Sequence, residues 1–399
     1  MKVFVVTSDP FPNGMASTSR IKCYCKSLIK AGVESEVVVF HRTEVYGKPP
    51  QNTVGKGVFE GIPFRYIGGT PLRVSNVFVR KLNDLLDGIN LLWYLRRNVK
   101  PEDAIFTYYR QNPIERVLLP YAKMMGWRIY QELCEYPYAT GQIDSLVEAR
   151  CEKYMTTTFR QYTGAVCISQ TLLDMAIKYH PQGEYIKVPI LIDEEKLNFS
   201  SISPKKYDVP YIFHSGALYQ QKDGIVDVLN AFADALPQLP KGTKYYFTGK
   251  MENSRDRDLI AQTISERKLK DSVVFLGYLQ MQELMEYTKG ASLFIIYKNE
   301  NIQNKYCFAT KLGEYLLSGN PVITTDVGEA MHFLENGKNA YIVEPNNRKQ
   351  LSDVIVKALR NTEESKSIGM AGQSIAKKKF CYEMQSEFLK AFFDKGNKA

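Results

Sequence analysis

Chemistry is most legible in the run Phe308-Ala309-Thr310-Lys311-Leu312-Gly313-Glu314-Tyr315-Leu316-Leu317-Ser318-Gly319-Asn320-Pro321-Val322-Ile323-Thr324-Thr325. It reads as a loop, a short helix from about Thr310 to Leu317, a glycine turn and a buried strand. Thr310 can cap the helix start, where free N–H groups and the positive dipole end favour an anion such as a diphosphate. Glu314, one turn further on the same face, can accept paired hydrogen bonds from the hydroxyls of a ribose. It can equally pair with Lys311 at i, i+3 and do nothing more.

A second run, His214-Ser215-Gly216-Ala217-Leu218-Tyr219-Gln220-Gln221-Lys222-Asp223-Gly224, follows a predicted strand and precedes a helix. An ammonium at Lys222 can neutralise charge building on a leaving phosphate, or be ordinary solvated surface. Tyr246-Phe247-Thr248-Gly249-Lys250 and Val274-Phe275-Leu276-Gly277-Tyr278 also end strands on glycine, a pattern common to many α/β proteins. In the first half, Gly14 lies in the loop Ser8–Arg20, where a missing side chain permits close approach of a ligand. Arg20 can reach that ligand or an acceptor phosphate, and can equally be a helix-surface residue. Tyr109 and Arg110 follow the strand expected at Ala104–Tyr108. Glu132 and Glu135 follow another strand; either could position an acceptor hydroxyl or pair with nearby cations.

The elements that must position these residues alternate throughout. Buried-strand patterns at Val3–Thr7, Glu36–Phe40, Phe64–Ile67, Ala104–Tyr108, Arg128–Glu132 and Ala165–Ser169 are separated by helical stretches. A second series follows at Tyr211–His214, Lys244–Thr248, Ser272–Phe275, Ser292–Ile296, Pro321–Thr325 and Ala340–Val343. Such alternation demands parallel strands with crossover helices, so each half is expected to be a doubly wound α/β domain binding ligands at its strand carboxyl ends. The expected division is residues 1–190, residues 191–380, and a C-terminal helix over 381–399 packing back on the first domain. The Pro/Ser-rich join lies near Lys187–Lys206.

The 399 residues carry a net charge of +9, most of it in the first half. Residues 1–190 hold 24 Lys and Arg against 17 Asp and Glu, which suits an anionic partner such as a membrane surface or phosphorylated acceptor. No nucleic-acid-binding signature accompanies it. The seven cysteines form no Cys-x-x-Cys pair and the four histidines are scattered, so no metal site is expected. Apolar runs are too short to span a bilayer, and the N-terminus reads as a first strand rather than a signal peptide, so a cytoplasmic protein is expected. The stretch Arg73–Arg97 mixes Val74, Val77, Phe78, Leu82, Leu85, Leu86, Ile89, Leu92 and Trp93 with Arg80, Lys81, Arg96 and Arg97. It reads either as a membrane-docking surface or as core packing with a solvated basic face.

The segment Lys311–Ile323 resembles the signature of the group 1 retaining glycosyltransferases, family 4 of that classification, and the resemblance extends over most of the chain. It implies the GT-B fold, two Rossmann-like doubly wound domains facing a central cleft, with the acceptor on the first and the nucleotide-sugar on the second. Glu314 then matches the second glutamate of the family's Glu-x7-Glu motif and would hold the donor ribose. Lys222 matches the lysine that holds the donor diphosphate. The implied donor site is Gly14, Ser215, Gly216, Lys222, Gly249, Tyr278, Tyr306, Thr310, Lys311 and Glu314, with Lys222 and Glu314 catalytic. Arg20, Tyr109, Arg110, Glu132 and Glu135 are the acceptor candidates. The implied reaction moves a sugar from a nucleotide-diphosphate sugar to a glycan or lipid-linked acceptor in surface polysaccharide or glycolipid synthesis. It needs no metal or cofactor and allows peripheral contact with the inner membrane face. Two departures stand out: Tyr306 occupies the place of the first glutamate, and Ala217 that of an arginine. The histidine many members carry after a middle strand is also missing. Two rival readings are a GT-B-fold nucleotide-sugar 2-epimerase and a non-catalytic nucleotide-sugar binding protein.

Overall fold

The computed structural model describes residues 1–109, 111–139, 143–216, 218–249 and 254–395. The chain divides into two compact units, Met1–Ile192 with Tyr382–Ala399, and Asp193–Cys381. Arg110, Ala217 and Lys250 lie outside the described residues.

Unit 1 is built on eight strands: β1 (Lys2–Thr7), β2 (Glu34–Val39), β3 (Lys56–Phe59), β4 (Ile62–Tyr66), β5 (Ala104–Tyr108), β6 (Arg128–Leu133), β7 (Gly164–Cys167) and β8 (Glu184–Lys187). Their order across the sheet is β3-β4-β2-β1-β5-β6-β7-β8. Every pairing is parallel except the β3–β4 hairpin. The central strands are buried along nearly their whole length because crossover helices cover the sheet, which explains the unbroken Val-Phe-Val-Val and Ile-Phe runs. Those helices are α1 (Ala16–Lys30), α2 (Val77–Asn98), α3 (Glu115–Met125), α4 (Ser145–Thr157) and α5 (Gln170–Tyr179). β3 and β8, which the sequence pattern did not reveal, are edge strands with little fully buried surface, so they carry a weak apolar signal. The C-terminal helix Ser386–Asp394 belongs to this unit: Phe393 meets Phe106 and Tyr130 edge-on, and Arg128 donates to the Phe393 carbonyl at 2.6 Å.

Unit 2 holds β9 (Tyr211–Ser215), β10 (Lys244–Thr248), β11 (Val273–Phe275), β12 (Leu293–Ile296), β13 (Val322–Thr325) and β14 (Tyr341–Val343). The order is β11-β10-β9-β12-β13-β14, parallel throughout. Its helices are α6 (Gln220–Asp223), α7 (Ile225–Ala235), α8 (Ser254–Glu266), α9 (Met281–Gly290), α10 (Ile302–Tyr306), α11 (Thr310–Leu317), α12 (Arg348–Arg360) and α13 (Thr362–Ile375). In this order β9 and β12 are neighbours while β10 lies on the far side of β9. The crossovers therefore leave in opposite directions from β9, which opens a ligand position at its carboxyl end.

Candidate functional site

β9 ends at Ser215, whose N–H donates to the Tyr315 hydroxyl at 2.8 Å. Tyr315 is in turn stacked on Phe294 of β12, with ring centroids 4.0 Å apart, so α11 is fixed against the sheet. The chain then turns at Gly216, with φ +109° and its N–H on the Thr248 carbonyl at 2.9 Å. Only glycine adopts that backbone at no cost, and a Cβ there would lie 2.7 Å from Lys311 Cε. The neighbouring turn at Gly249 donates its N–H to the Gly277 carbonyl, and the adjoining Tyr278 is largely exposed.

Against this turn the structure gathers cations. Lys311 Nζ lies 3.2 Å from His214 Nε2. Burial strips water from this ammonium and pulls its pKa down to about 8. The carboxylates of Asp223 and Glu314 oppose that shift, and the charges of Lys298 and Lys222 add to it. Lys298, just beyond β12, is buried and donates to Asp223 Oδ1 at 2.7 Å and to the Lys222 carbonyl at 3.2 Å. Burial alone would raise the Asp223 pKa, but Lys298, Lys311 and His214 outweigh it and hold the carboxyl well below its usual range. Asn304 Nδ2 also donates to the Lys222 carbonyl, so the backbone carrying Lys222 is tied to α10 and to the loop after β12. Lys298 and Lys311 thus act on one ionised aspartate, and the charge of Lys222 is felt by Lys311. This excess of positive charge at the carboxyl end of a parallel sheet suits a polyanion such as a diphosphate.

Glu314 sits one turn along α11 from Lys311. Burial raises its pKa, with Lys311 and Lys196 opposing. Among the described residues its carboxylate accepts no hydrogen bond, and Lys311 turns to His214 rather than pairing with it. Thr310 does not cap the helix. The N-cap is Ala309, which has no side-chain acceptor, so the first N–H groups of α11 receive no side-chain cap. The sequence reading placed the cap one residue late. Tyr306 is half-buried at the end of α10.

The structure therefore brings Ser215, Gly216, Lys222, Lys311 and Glu314 to one neighbourhood. Asp223, Lys298, His214 and Asn304 were missed as members. His214 and Asp223 lay inside the quoted motif. Lys298 had as its only signal a position just past a strand, and 75 residues separate it from Asp223.

In unit 1, Arg20 and Glu132 form an ion pair at 2.7 Å, and both are buried. Arg20 also donates to the Pro189 and Val188 carbonyls and to the Tyr24 hydroxyl, which donates to Glu132 Oε2 at 2.8 Å. The two charges lock α1 to β6 and to the segment after β8, so an acceptor contact by either requires that network to open. Tyr109 is also buried, 3.4 Å from the Tyr162 hydroxyl and edge-on to Phe40. Glu135 is half-buried. Gly14 is exposed, yet a Cβ on it would collide with the Thr18 hydroxyl that bonds the Pro10 carbonyl, so the loop's own packing requires glycine there.

Residues 195–375 match the family model described as glycosyl transferases group 1. No curated protein matches the chain. Among solved structures, sucrose-phosphate synthase from Thermosynechococcus elongatus is similar with a TM-score of 0.73 at 13% identity, covering 98% of each chain. A glycosyltransferase from Rickettsia africae has a TM-score of 0.71 at 15% identity, covering 99% of this chain and 98% of its own. Anabaena HepE in complex with UDP has a TM-score of 0.67 at 14% identity, covering 98% of each. At these identities the likenesses establish a shared fold.

Proposed function

We propose that this chain, whose residues 195–375 match the glycosyl transferases group 1 model and whose fold is GT-B, is a group 1 glycosyltransferase whose unit 2 binds a nucleotide-diphosphate sugar at the Lys222–Lys298–Lys311 cluster. The carrying observation is the buried Asp223 carboxylate just past β9, held ionised by the Lys298 and Lys311 ammonium groups, with the charge of Lys222 acting on Lys311. HepE, of the same fold, is known in complex with UDP-glucose. In this reading Lys222 and Lys311 face the diphosphate, and Glu314, which accepts no hydrogen bond among the described residues, accepts from the ribose hydroxyls.

The sugar moves to a glycan or lipid-linked acceptor with retention at the anomeric carbon. The bond from that carbon to the diphosphate oxygen breaks, with its electron pair leaving on the diphosphate. The acceptor hydroxyl forms the new bond on the same face and passes its proton to the departing diphosphate oxygen. Charge then grows on the leaving phosphate, and prepositioned ammonium groups stabilise it there more than in the ground state. The proposal assigns that neutralisation to lysines rather than to a metal ion, and no cofactor enters the reaction. The cytoplasm is the proposed compartment, and surface polysaccharide or glycolipid the proposed product.

Lys222→Ala should lower kcat by about two orders of magnitude or more with an unchanged melting profile; near-normal turnover overturns the assignment. Tyr306, at the place of the family's sugar-contacting glutamate, favours one second reading, a protein that binds the donor without transferring it. Nucleotide release measured over a panel of donors separates the two.

A further inference from the structure

α2 begins with Asn76, whose Oδ1 accepts from the N–H groups of Phe78 and Val79. One side of the helix faces inward through Asp87, Leu91 and Leu95, all buried. The sequence left open whether its other apolar residues form core. They do not: Phe78, Leu82, Leu85, Leu86, Ile89 and Trp93 are each 45 to 84% exposed. At about 100° per residue these six share one arc of roughly 100°. Lys81 and Arg97 border the stripe and Arg96 lies at its C-terminal end; Arg97 stacks on the Trp93 ring at 3.5 Å.

At the N-terminal end of α2 an open cavity of about 300 Å³ is lined by His41, Arg42, Arg73, Arg80, Lys81 and Asp84, among others. Arg73 Nε donates to the Arg42 carbonyl at 2.5 Å, which ties the loop before α2 to the loop after β2. Asp84 answers His41 at 3.4 Å, and the buried Asp87 answers Arg42 at 3.4 Å. Arg42, Arg73, Arg80 and Lys81 outnumber the two carboxylates, so the cavity is charged for a phosphate group.

A stripe of this size is more than the scattered apolar exposure of ordinary surfaces. A second copy of the chain seated on it would bring Lys81, Arg96 and Arg97 toward the same charges. An anionic lipid surface covers the stripe and neutralises the flanking cations at once. Among the described residues no helix is long and apolar enough to cross a membrane, so α2 would lie in the plane of the interface. We propose that α2 docks this protein on anionic bilayers, with the apolar stripe among the acyl chains and the basic cavity holding a lipid headgroup phosphate. This goes beyond the glycosyl-transfer reading and does not rest on it.

Flotation of the whole protein with vesicles of phosphatidylcholine, alone or mixed with phosphatidylglycerol, tests it. The protein should float with the mixed vesicles, hardly with the neutral ones, and less at high salt. Each Lys or Arg near an anionic surface is worth about fivefold in partition, so Arg80→Glu with Lys81→Glu should weaken binding about 25-fold or more. Phe78→Ser with Leu85→Ser should abolish insertion, read independently as loss of the blue shift in Trp93 emission; Trp93→Phe assigns that shift. All four substituted side chains point outward or into the open cavity, so circular dichroism and donor hydrolysis should be unchanged. Equal flotation with neutral vesicles, binding of inorganic phosphate in the cavity without vesicle binding, or a dimer broken by Leu85→Ser without vesicle binding would each overturn the proposal.

Discussion

Lys311 offers a pH test of the donor site that no other arrangement of the same residues would mimic. Its ammonium, pulled down to about 8 chiefly by burial, loses its charge within the range where the protein can be handled. If the diphosphate binds the charged form, the apparent dissociation constant grows with the fraction of neutral lysine. From pH 7, where about nine-tenths is charged, to pH 9, where about one-tenth is, affinity should fall about tenfold, or about 1.4 kcal/mol. The terminal phosphate is mostly ionised by pH 7, and ADP, whose base has no ring N–H to lose, separates the lysine from the uracil and guanine N–H groups that begin to ionise toward pH 9. Calorimetric titration with UDP, GDP and ADP at pH 7, 8 and 9 reads this directly. Lys311→Arg keeps a permanent charge and should flatten the profile, even if its bulk against Gly216 lowers affinity overall. The linkage has a definite sign without ligand. The folded pKa lies below the ordinary 10.5, so the unfolded chain binds more protons between about 8 and 10.5 and stability from this group rises through that window. Wild-type affinity that is flat from pH 7 to 9, or an arginine variant that keeps the slope, would refute the placement of Lys311 on the diphosphate.

Gly216→Ala would force an L-residue to φ +109° and push a methyl onto Lys311 Cε. It should cost about 1–3 kcal/mol in urea unfolding and weaken nucleotide binding by more than the fold loss explains. Arg20→Ala leaves Glu132 buried without its partner and should destabilise the protein by about 3–5 kcal/mol, whereas an acceptor-binding arginine would show chiefly in the acceptor KM. Glu115, buried among the hydroxyls of Tyr154 and Tyr162, has its pKa pushed up to about 7, mainly by burial. The folded state therefore holds its proton more tightly, and stability should fall by up to about 3 kcal/mol as pH rises from 4.5 through 7. Glu115→Gln should remove that slope in denaturation measured across pH; an unchanged slope would show that other groups cause it.

Much of the fold was readable in the sequence because both sheets are covered on two faces. Runs such as Val3–Val6 and Ala104–Tyr108 stay apolar without alternation, and their lengths and spacing leave few other solutions than parallel strands with crossovers. Edge strands β3 and β8 escaped because a half-covered strand carries half the signal. In the proposed site, Lys222, Lys311 and Glu314 were singled out because they lie in short local motifs that resemble a family signature; spacing alone left Lys222 and Glu314 open between a ligand contact and ordinary surface. The meaning of single residues was not so local. Glu132 was open between an acceptor contact and a pair with a nearby cation, and only the fold shows that the cation is Arg20, 112 positions away in the chain. The exposed stripe of α2 has the same periodicity that core packing would give, and only the tertiary structure shows which way it faces.

The sequence by itself determined that two α/β units follow one another and that a lysine, a glycine turn and a glutamate lie in short motifs at strand and helix ends. The tertiary structure alone decided that Lys298 and Asp223 complete that cluster, and that burial tunes Lys311 toward neutral pH. The reason is physical. Hydrophobic periodicity and turn chemistry act over a few residues, whereas desolvation and Coulomb interactions depend on distances that only the folded chain sets.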